Sequence, residues 1–170
     1  VSTSAEHGHG QCLSLLIQNG ADPSKAKSNG WAPIHTACDK GRYACVELLL
    51  DNGVCANTLI ADERGNTPAM IATQRGHVMV LTLLLKRGAD PNGSDSNGAT
   101  AIHVAAEQGQ AKCLSLLIQS GADVSKAKRN GWAPIHTACD EGRHVCVELL
   151  LDNGVCANTP MATERGSTPA

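Results

Sequence analysis

Eight cysteines and seven histidines are the side chains of this 170-residue chain that most readily bind metal ions or take part in catalysis. A chain with this many cysteines can also form a disulfide framework. The spacing favours neither chemistry. There is no C-x-x-C pair, and no histidine lies beside a cysteine pair at the spacing of zinc ligands. The sequence therefore predicts no metal site and no cofactor.

The cysteines instead occupy four pairs of equivalent positions, 101 residues apart: Cys12 and Cys113, Cys38 and Cys139, Cys45 and Cys146, and Cys55 and Cys156. Three of the pairs lie in apolar segments of helical spacing, where a free cysteine acts as a small buried hydrophobic residue. This pattern predicts free thiols and a reducing compartment, the cytoplasm or the nucleus. A redox sensor and a secreted disulfide scaffold are the alternatives. Cys55 and Cys156 lie in predicted loops and are the candidates for reactive thiols.

Three of the histidines, His35, His103 and His136, recur at one position of a repeated motif, which predicts a structural role. His7 and His9 are close in sequence, but no third ligand completes a metal site. There is no G-x-S-x-G motif, phosphate-binding loop or dinucleotide-binding fingerprint. We therefore expect no enzyme activity from these residues.

Composition limits the partners and the core. The chain has 14 basic and 16 acidic residues and a net charge of −2, whereas a nucleic-acid-binding face usually needs a basic surplus. Apolar runs are only a few residues long, as in Leu48 to Leu50, so no segment is predicted to cross a membrane. Because only 2% of residues are aromatic and 42% are hydrophobic, the core is predicted to consist of small aliphatic side chains. We expect a monomer.

An internal repeat determines how these residues are positioned. The segment 29–38 returns with the same ten residues as 130–139, and weaker copies begin near Gly65 and Gly98. The five marker glycines are spaced 35, 33, 33 and 35 residues apart: Gly30, Gly65, Gly98, Gly131 and Gly166. At a higher level, residues 12–69 align with 113–170, and only 10 of the 58 positions differ. Three repeats have therefore been duplicated as a block.

Each period contains signals for two short helices. Pro33 suits a first helical position, because a residue there needs no N–H donor, and the helix is predicted to end near Gly41. A second helix carries apolar residues from Cys45 to Leu50 and ends at Asn52-Gly53, a reasonable left-handed cap. One such helix pair cannot bury its own apolar face, so the pairs are predicted to stack into a solenoid.

The motif resembles the ankyrin repeat, whose pattern G-x-T-P-L-H-x-A-A, then G, V-x-x-L-L and G-A-D-x-N, is readable in positions such as Val80, Leu83, Leu84, Gly88, Ala89, Asp90 and Asn92. Departures are Ala32 and Ala133 for threonine, Met70 for histidine, and Cys38, Cys139 and Thr73 for the second alanine. The resemblance implies an all-α ankyrin-repeat solenoid of helix-turn-helix units joined by β-hairpin-like turns. Its histidine would tie each helix to a hairpin loop by hydrogen bonds.

The predicted array comprises a partial repeat at 1–27, repeats at 28–61, 62–94, 95–127 and 128–162, and a partial repeat at 163–170. We expect it to be a segment of a longer array. The two 35-residue spacings predict two extra residues near 59–61 and 160–162, which would form longer hairpin tips.

The resemblance implies a protein–protein interaction module that presents a concave surface to a protein or peptide partner. An elastic spacer is an alternative, and so is the substrate-recognition arm of a ubiquitin ligase adaptor or other larger enzyme. The family's variable positions, carried over to this chain, give the candidate partner-binding residues Ser28, Asn29, Trp31, Asp39, Lys40, Glu63, Arg64, Asn66, Gln74, Arg75, Ser96, Asn97, Glu107, Gln108, Arg129, Asn130, Trp132, Asp140 and Glu141.

Trp31 and Trp132 are the candidate anchors of this surface, because tryptophan is frequent among residues that dominate binding energy. They lie three repeats apart, roughly 25–30 Å if each repeat advances by one helix-packing distance. The alternative is that each indole shields a proline and the next hairpin. Between the copies Ser28 becomes Arg129 and Lys40 becomes Glu141, through either tuned specificity or neutral drift.

Overall fold

The computed structural model describes residues 1–159, which form ten helices in five layers of two. The first helices of layers 1 to 5 are α1 (Ser2–His7), α3 (Pro33–Asp39), α5 (Pro68–Gln74), α7 (Ala101–Gln108) and α9 (Pro134–Asp140). The second helices are α2 (Gly10–Gln18), α4 (Tyr43–Asp51), α6 (Val78–Lys86), α8 (Ala111–Gln119) and α10 (His144–Asp152). The predicted all-α solenoid is confirmed.

The layers stack so that each helix packs against its counterpart in the next layer. First helices form one row from α1 to α9, and second helices form a parallel row from α2 to α10. The two helices of a layer also contact each other. All pairs of described helices with substantial contact belong to the same layer or to adjacent layers, as expected of a repeat solenoid.

The core between the two rows is built from small and medium aliphatic side chains. Ile34, Leu49, Leu84 and Leu117 are fully buried, and alanines fill the close approaches between helices. Both tryptophans are only half-buried and Tyr43 is exposed, so no aromatic residue lies in the core of the described chain. The predicted aliphatic core is confirmed. No helix within residues 1–159 is long and apolar enough to cross a membrane.

All eight cysteines are free thiols. The predicted burial is confirmed at four of them, and burial raises the pKa of the Cys113 thiol to about 11. The prediction is wrong for Cys12 and Cys139, which are exposed. Cys12 lies in layer 1, which has no preceding layer in this chain to cover it.

Hairpins that precede the first helices of layers 2 to 5 hydrogen-bond to one another along the stack. The Arg64 carbonyl accepts from Ser96 N–H at 2.8 Å, and the Asn97 carbonyl accepts from Arg129 N–H at 2.9 Å. Between layers 2 and 3 the pairing shifts, because Ala61 N–H donates to Gly30 O at 3.2 Å. The chain crosses so closely there that a Cβ on Gly30 would clash with the Ala61 carbonyl oxygen.

The shift accompanies a wider hairpin. Ile60 N–H donates to Asn66 O, whereas in layer 4 the pair that closes the hairpin is Asp95 N–H and Ala99 O. The layer 3 hairpin therefore encloses two more residues, and the predicted longer tip near 59–61 is confirmed. The tip predicted near 160–162, the partial repeat at 163–170 and the end of the duplicated block lie outside the described residues.

Candidate interaction surface

The recurring histidine fastens the start of the first helix to a neighbouring loop. In layer 2, His35 Nδ1 accepts from Ala32 N–H at 3.0 Å, and its Nε2 lies 2.6 Å from Thr58 O. His136 repeats both contacts, with Ala133 and Thr159, in layer 5. The structural role predicted for these histidines is confirmed.

In layer 4, His103 Nδ1 likewise accepts from Thr100 N–H at 3.2 Å, but its Nε2 contacts Trp132 O, in the next hairpin, at 3.2 Å. Burial, assisted by the charge of Lys128, lowers the pKa of His103 to about 4, and burial also lowers the pKa of His35. Both imidazoles are therefore neutral near pH 7. In layer 3 the position is held by Met70, whose N–H donates to the Thr67 hydroxyl.

Side chains within the hairpins hold the tips in shape. Asn29 Oδ1 accepts from Trp31 N–H, and Asn130 Oδ1 accepts from Trp132 N–H, both at 3.2 Å. In layer 3 the Asp62 carboxylate accepts from two backbone N–H groups of its turn, at 2.9 and 2.7 Å. Its carboxylate thus serves the turn rather than acid or base chemistry.

Each tryptophan contacts the histidine of its own layer, in layers 2 and 5. The indole of Trp31 meets the His35 ring edge-on, with ring centroids 6.2 Å apart, and Trp132 meets His136 in the same way at 6.4 Å. Trp31 also packs against the core. Each indole is half-buried, so it packs on its own layer and still presents part of its surface to solvent.

The ends of the first helices carry charges that differ between the two copies. In layer 2, Asp39 pairs with Arg75 Nε at 2.7 Å and with Lys40 Nζ at 3.0 Å. Burial by itself would raise the pKa of Asp39, but the hydrogen bonds and charges of Arg75 and Lys40 lower it. In layer 5, Glu141 stands where layer 2 has Lys40, and Asp140 makes no ion pair with any residue of 1–159.

None of the nineteen predicted surface residues is buried: fifteen are exposed, and Trp31, Asp39, Asn66 and Trp132 are half-buried. Six of them line one recess between layers 3 and 4: Arg64, Asn66, Gln74, Asn97, Glu107 and Gln108. Met70, Asp95 and Val104 also line it and were not predicted. In the sequence, the one sign that the surface differs here from the other layers was Met70, which replaces the recurring histidine.

Sequence reasoning also missed two asparagines that join the loops after the second helices. Asn57 Nδ2 donates to Gly88 O at 3.0 Å, and its Oδ1 accepts from Asp90 N–H at 2.8 Å. Asn92 repeats this bridge one layer further, with Gly121 O and Asp123 N–H. Their side chains join the loops that follow the second helices of layers 2, 3 and 4.

No group of three or more potential ligands lies close enough to bind a metal ion within the described part of the chain. His7 and His9 stack with ring centroids 5.8 Å apart, and His7 Nδ1 contacts Thr3 O. The chemistry available on the concave side is therefore hydrogen bonding, ion pairing and aromatic contact.

Stacked helix pairs with a row of hairpins beside the first helices define a helical repeat solenoid. Family comparison agrees, because the model of ankyrin repeats in three copies matches residues 2–95 and 87–161. The chain belongs to the ankyrin-repeat family.

Curated relatives carry the same repeat within longer proteins. Over 82 residues, 48% of this chain, it is 37% identical to the target of rapamycin complex 2 subunit AVO2 of Saccharomyces cerevisiae. It is 30% identical over 95 residues, 55% of the chain, to the human ankyrin repeat and SOCS box protein 3. It is 38% identical over 85 residues, 50% of the chain, to the human ankyrin repeat and SOCS box protein 16. The matched regions span 18–19% of these relatives.

Proposed function

We propose that this chain is a non-catalytic protein–protein interaction module whose concave surface binds a protein or peptide partner. The observation that carries the proposal is the continuous row of hairpin tips and first-helix ends in layers 2 to 5. Its side chains are held outward on a backbone that hydrogen-bonds from layer to layer. Such rigid display reduces the entropy lost on binding.

Affinity comes from a few central side chains and specificity from the polar tips. Trp31 and Trp132 are the proposed aromatic anchors, three layers apart and each in contact with the histidine of its own layer. Surface charge distinguishes the two copies of the duplicated block. Ser28 of layer 2 is replaced by Arg129 in layer 5, and Lys40 is replaced by Glu141.

The names of two matched relatives favour one version of this function, in which the chain is the substrate-recognition arm of a ubiquitin ligase adaptor. Both are ankyrin repeat and SOCS box proteins, and a SOCS-box-like segment outside this array would support the same role. The free cysteines support a reducing compartment, the cytoplasm or nucleus. The net charge of −2 supports a protein partner over a nucleic acid, and we propose that the array acts as a monomer.

A pull-down with the whole chain, followed by titration of the captured partner, tests the function. The double variant Trp31→Ala/Trp132→Ala should weaken binding by at least tenfold, about 1.4 kcal/mol. The matched control Lys112→Ala/Glu148→Ala changes exposed residues on the second helices and should leave the affinity unchanged. Unchanged binding by the tryptophan variant would refute the anchors, and equal loss in both variants would refute the concave surface as the binding face.

A further inference from the structure

The middle of the concave surface contains a recess of about 200 Å³ between layers 3 and 4. Asn66 and Gln74 line it from layer 3, Ala99 and Val104 line it from layer 4, and Met70 is buried at its floor. Pockets for drug-sized ligands occupy roughly 300–1,000 Å³. The recess is smaller, and its volume suits a single side chain of an extended polypeptide.

The recess follows from the residue at one recurring position. In layers 2 and 5 the last tip residue is Trp31 or Trp132, and its indole lies over the histidine of the same layer. In layer 3 the same position holds Asn66, a short amide, and the histidine position holds Met70. Layer 4 has Ala99 at this position, so the space that an indole covers in layers 2 and 5 is open in layers 3 and 4.

The charges around the recess are separated and lack partners. Arg64 lies on the tip side, and its guanidinium makes no ion pair within residues 1–159. Glu107 lies on the helix side, and its carboxylate accepts a 3.4 Å hydrogen bond from Gln108 and forms no ion pair within residues 1–159. One layer further along the helix ends come Asp140 and Glu141, also without an ion pair among the described residues.

These acidic groups follow the last turns of the first helices, where the helix dipole disfavours negative charge. In layer 2 the negative charge at the equivalent position, Asp39, is compensated by ion pairs with Arg75 and Lys40. In layer 4, Arg143 Nε donates to the backbone carbonyl of Glu107 at 3.0 Å, but the carboxylates of Glu107, Asp140 and Glu141 form no ion pair within residues 1–159. A partner with basic side chains would supply that compensation.

We infer that the recess binds one basic side chain of an extended peptide segment, beside Glu107, and that a second basic residue of the segment pairs with Asp140 and Glu141. An acidic residue of the same segment pairs with Arg64 on the tip side. This inference rests on the proposed function and names the partner's chemistry. Three helix-packing steps separate the tryptophans by roughly 25–30 Å. An extended chain covers this distance in about eight or nine residues.

A displayed library of random nonapeptides, selected against the whole chain, provides the test. Enriched peptides should carry basic residues at a fixed spacing and an acidic residue on one side of them. The most enriched peptide is then labelled with fluorescein and titrated against variants. Asn66→Trp should weaken its binding at least tenfold, because the indole introduces the tip residue of layers 2 and 5 and fills the recess. Lys112→Ala, on an exposed position of α8, should have no effect.

A charge exchange makes the test independent of the recess volume. Glu107→Arg should lower the affinity for the selected peptide at least tenfold. Replacing the peptide's recess-bound basic residue by glutamate should restore affinity for this variant. Glu107 is exposed, so the substitution does not threaten folding even if Asn66→Trp does. The inference would be overturned if the selection enriched no peptides, or if the enriched peptides shared no basic residues. It would also be overturned if neither substitution changed the affinity of the enriched peptides. A partner captured by pull-down and lost with the tryptophan variant would still support the proposed function.

Discussion

The histidine of the first helix makes two hydrogen bonds that join a hairpin loop to a helix start. It can do so only as the neutral tautomer with a proton on Nε2, because Nδ1 accepts a backbone N–H. Protonation would place a second donor against that N–H. The histidine positions of layers 2 and 4 are therefore sensitive to acid, and layer 3, with Met70, is not.

His103→Met tests this at the residue scale. The folded-state pKa of His103, about 4, lies below its ordinary value of 6.5, so its contribution is complete above pH 6.5 and is lost as the pH falls toward 4. This loss amounts to ~3 kcal/mol at most. We expect the variant to be about 1–3 kcal/mol less stable at pH 7. Urea unfolding at pH 7, 5.5 and 4.5 should show a shallower pH dependence than the parent; equal slopes would contradict the role of His103.

Single residues also show where sequence reasoning fails. The recurring position of the histidine predicted a structural role, and the resemblance to the ankyrin repeat implied its hydrogen bonds. The exposure of Cys12 could not be read from its segment, because burial of that position depends on a neighbouring layer. The bridges of Asn57 and Asn92 join loops about 30 residues apart, and nothing in their own segments distinguishes a bridging amide from a turn amide.

At the scale of elements, the hairpins show how two extra residues are accommodated. The layer 3 hairpin widens, and its start shifts along the hairpin of layer 2 until Ala61 meets Gly30. The glycine is required by two constraints at once, a φ of +81° and the close approach of the Ala61 carbonyl. The length difference was predictable from the glycine spacing, but the shifted pairing was not, because it depends on how adjacent hairpins meet.

Gly30→Ala and Gly98→Ala separate these two constraints. Gly98 has nearly the same φ, +78°, but its nearest neighbour would lie 3.5 Å from an added Cβ. The left-handed conformation alone should cost Gly98→Ala about 1–2 kcal/mol. Gly30→Ala should cost at least ~1 kcal/mol more, because the Ala61 backbone must move. The free energies of unfolding in urea measure both; equal losses would show that the close approach costs nothing.

At the scale of the whole molecule, the duplication supplies matched positions in different surroundings. Leu13 in α2 and Leu114 in α8 are equivalent and both fully buried. The helix of Leu114 packs between α6 and α10, whereas that of Leu13 packs against α4 in a terminal layer. Because layers stabilise only their neighbours, the two leucines should differ in how far their effects extend.

Leu114→Ala should lower the free energy of unfolding by about 3–5 kcal/mol and reduce amide protection in layers 3 to 5. Leu13→Ala should reduce protection in layers 1 and 2 and leave layer 4 close to the parent. Hydrogen exchange followed by mass spectrometry resolves the layers. A uniform loss of protection in both variants would mean that the array unfolds as a single unit.

The fold was predictable because glycine, proline and the leucine pattern act locally and recur every 33 to 35 residues. The candidate surface was predictable as a set of positions, and the recess was not. A recess requires that Asn66 of one layer and Val104 of the next face each other across a gap, which no single period specifies.

The restriction of contacts to adjacent layers has a consequence for how the chain acquires its structure. Contacts between residues close in sequence form quickly, because little chain entropy is lost in closing short loops. We expect folding to begin at any pair of layers and to spread by addition of one layer at a time. During synthesis, layers 1 and 2 can therefore become ordered before α10 has left the ribosome.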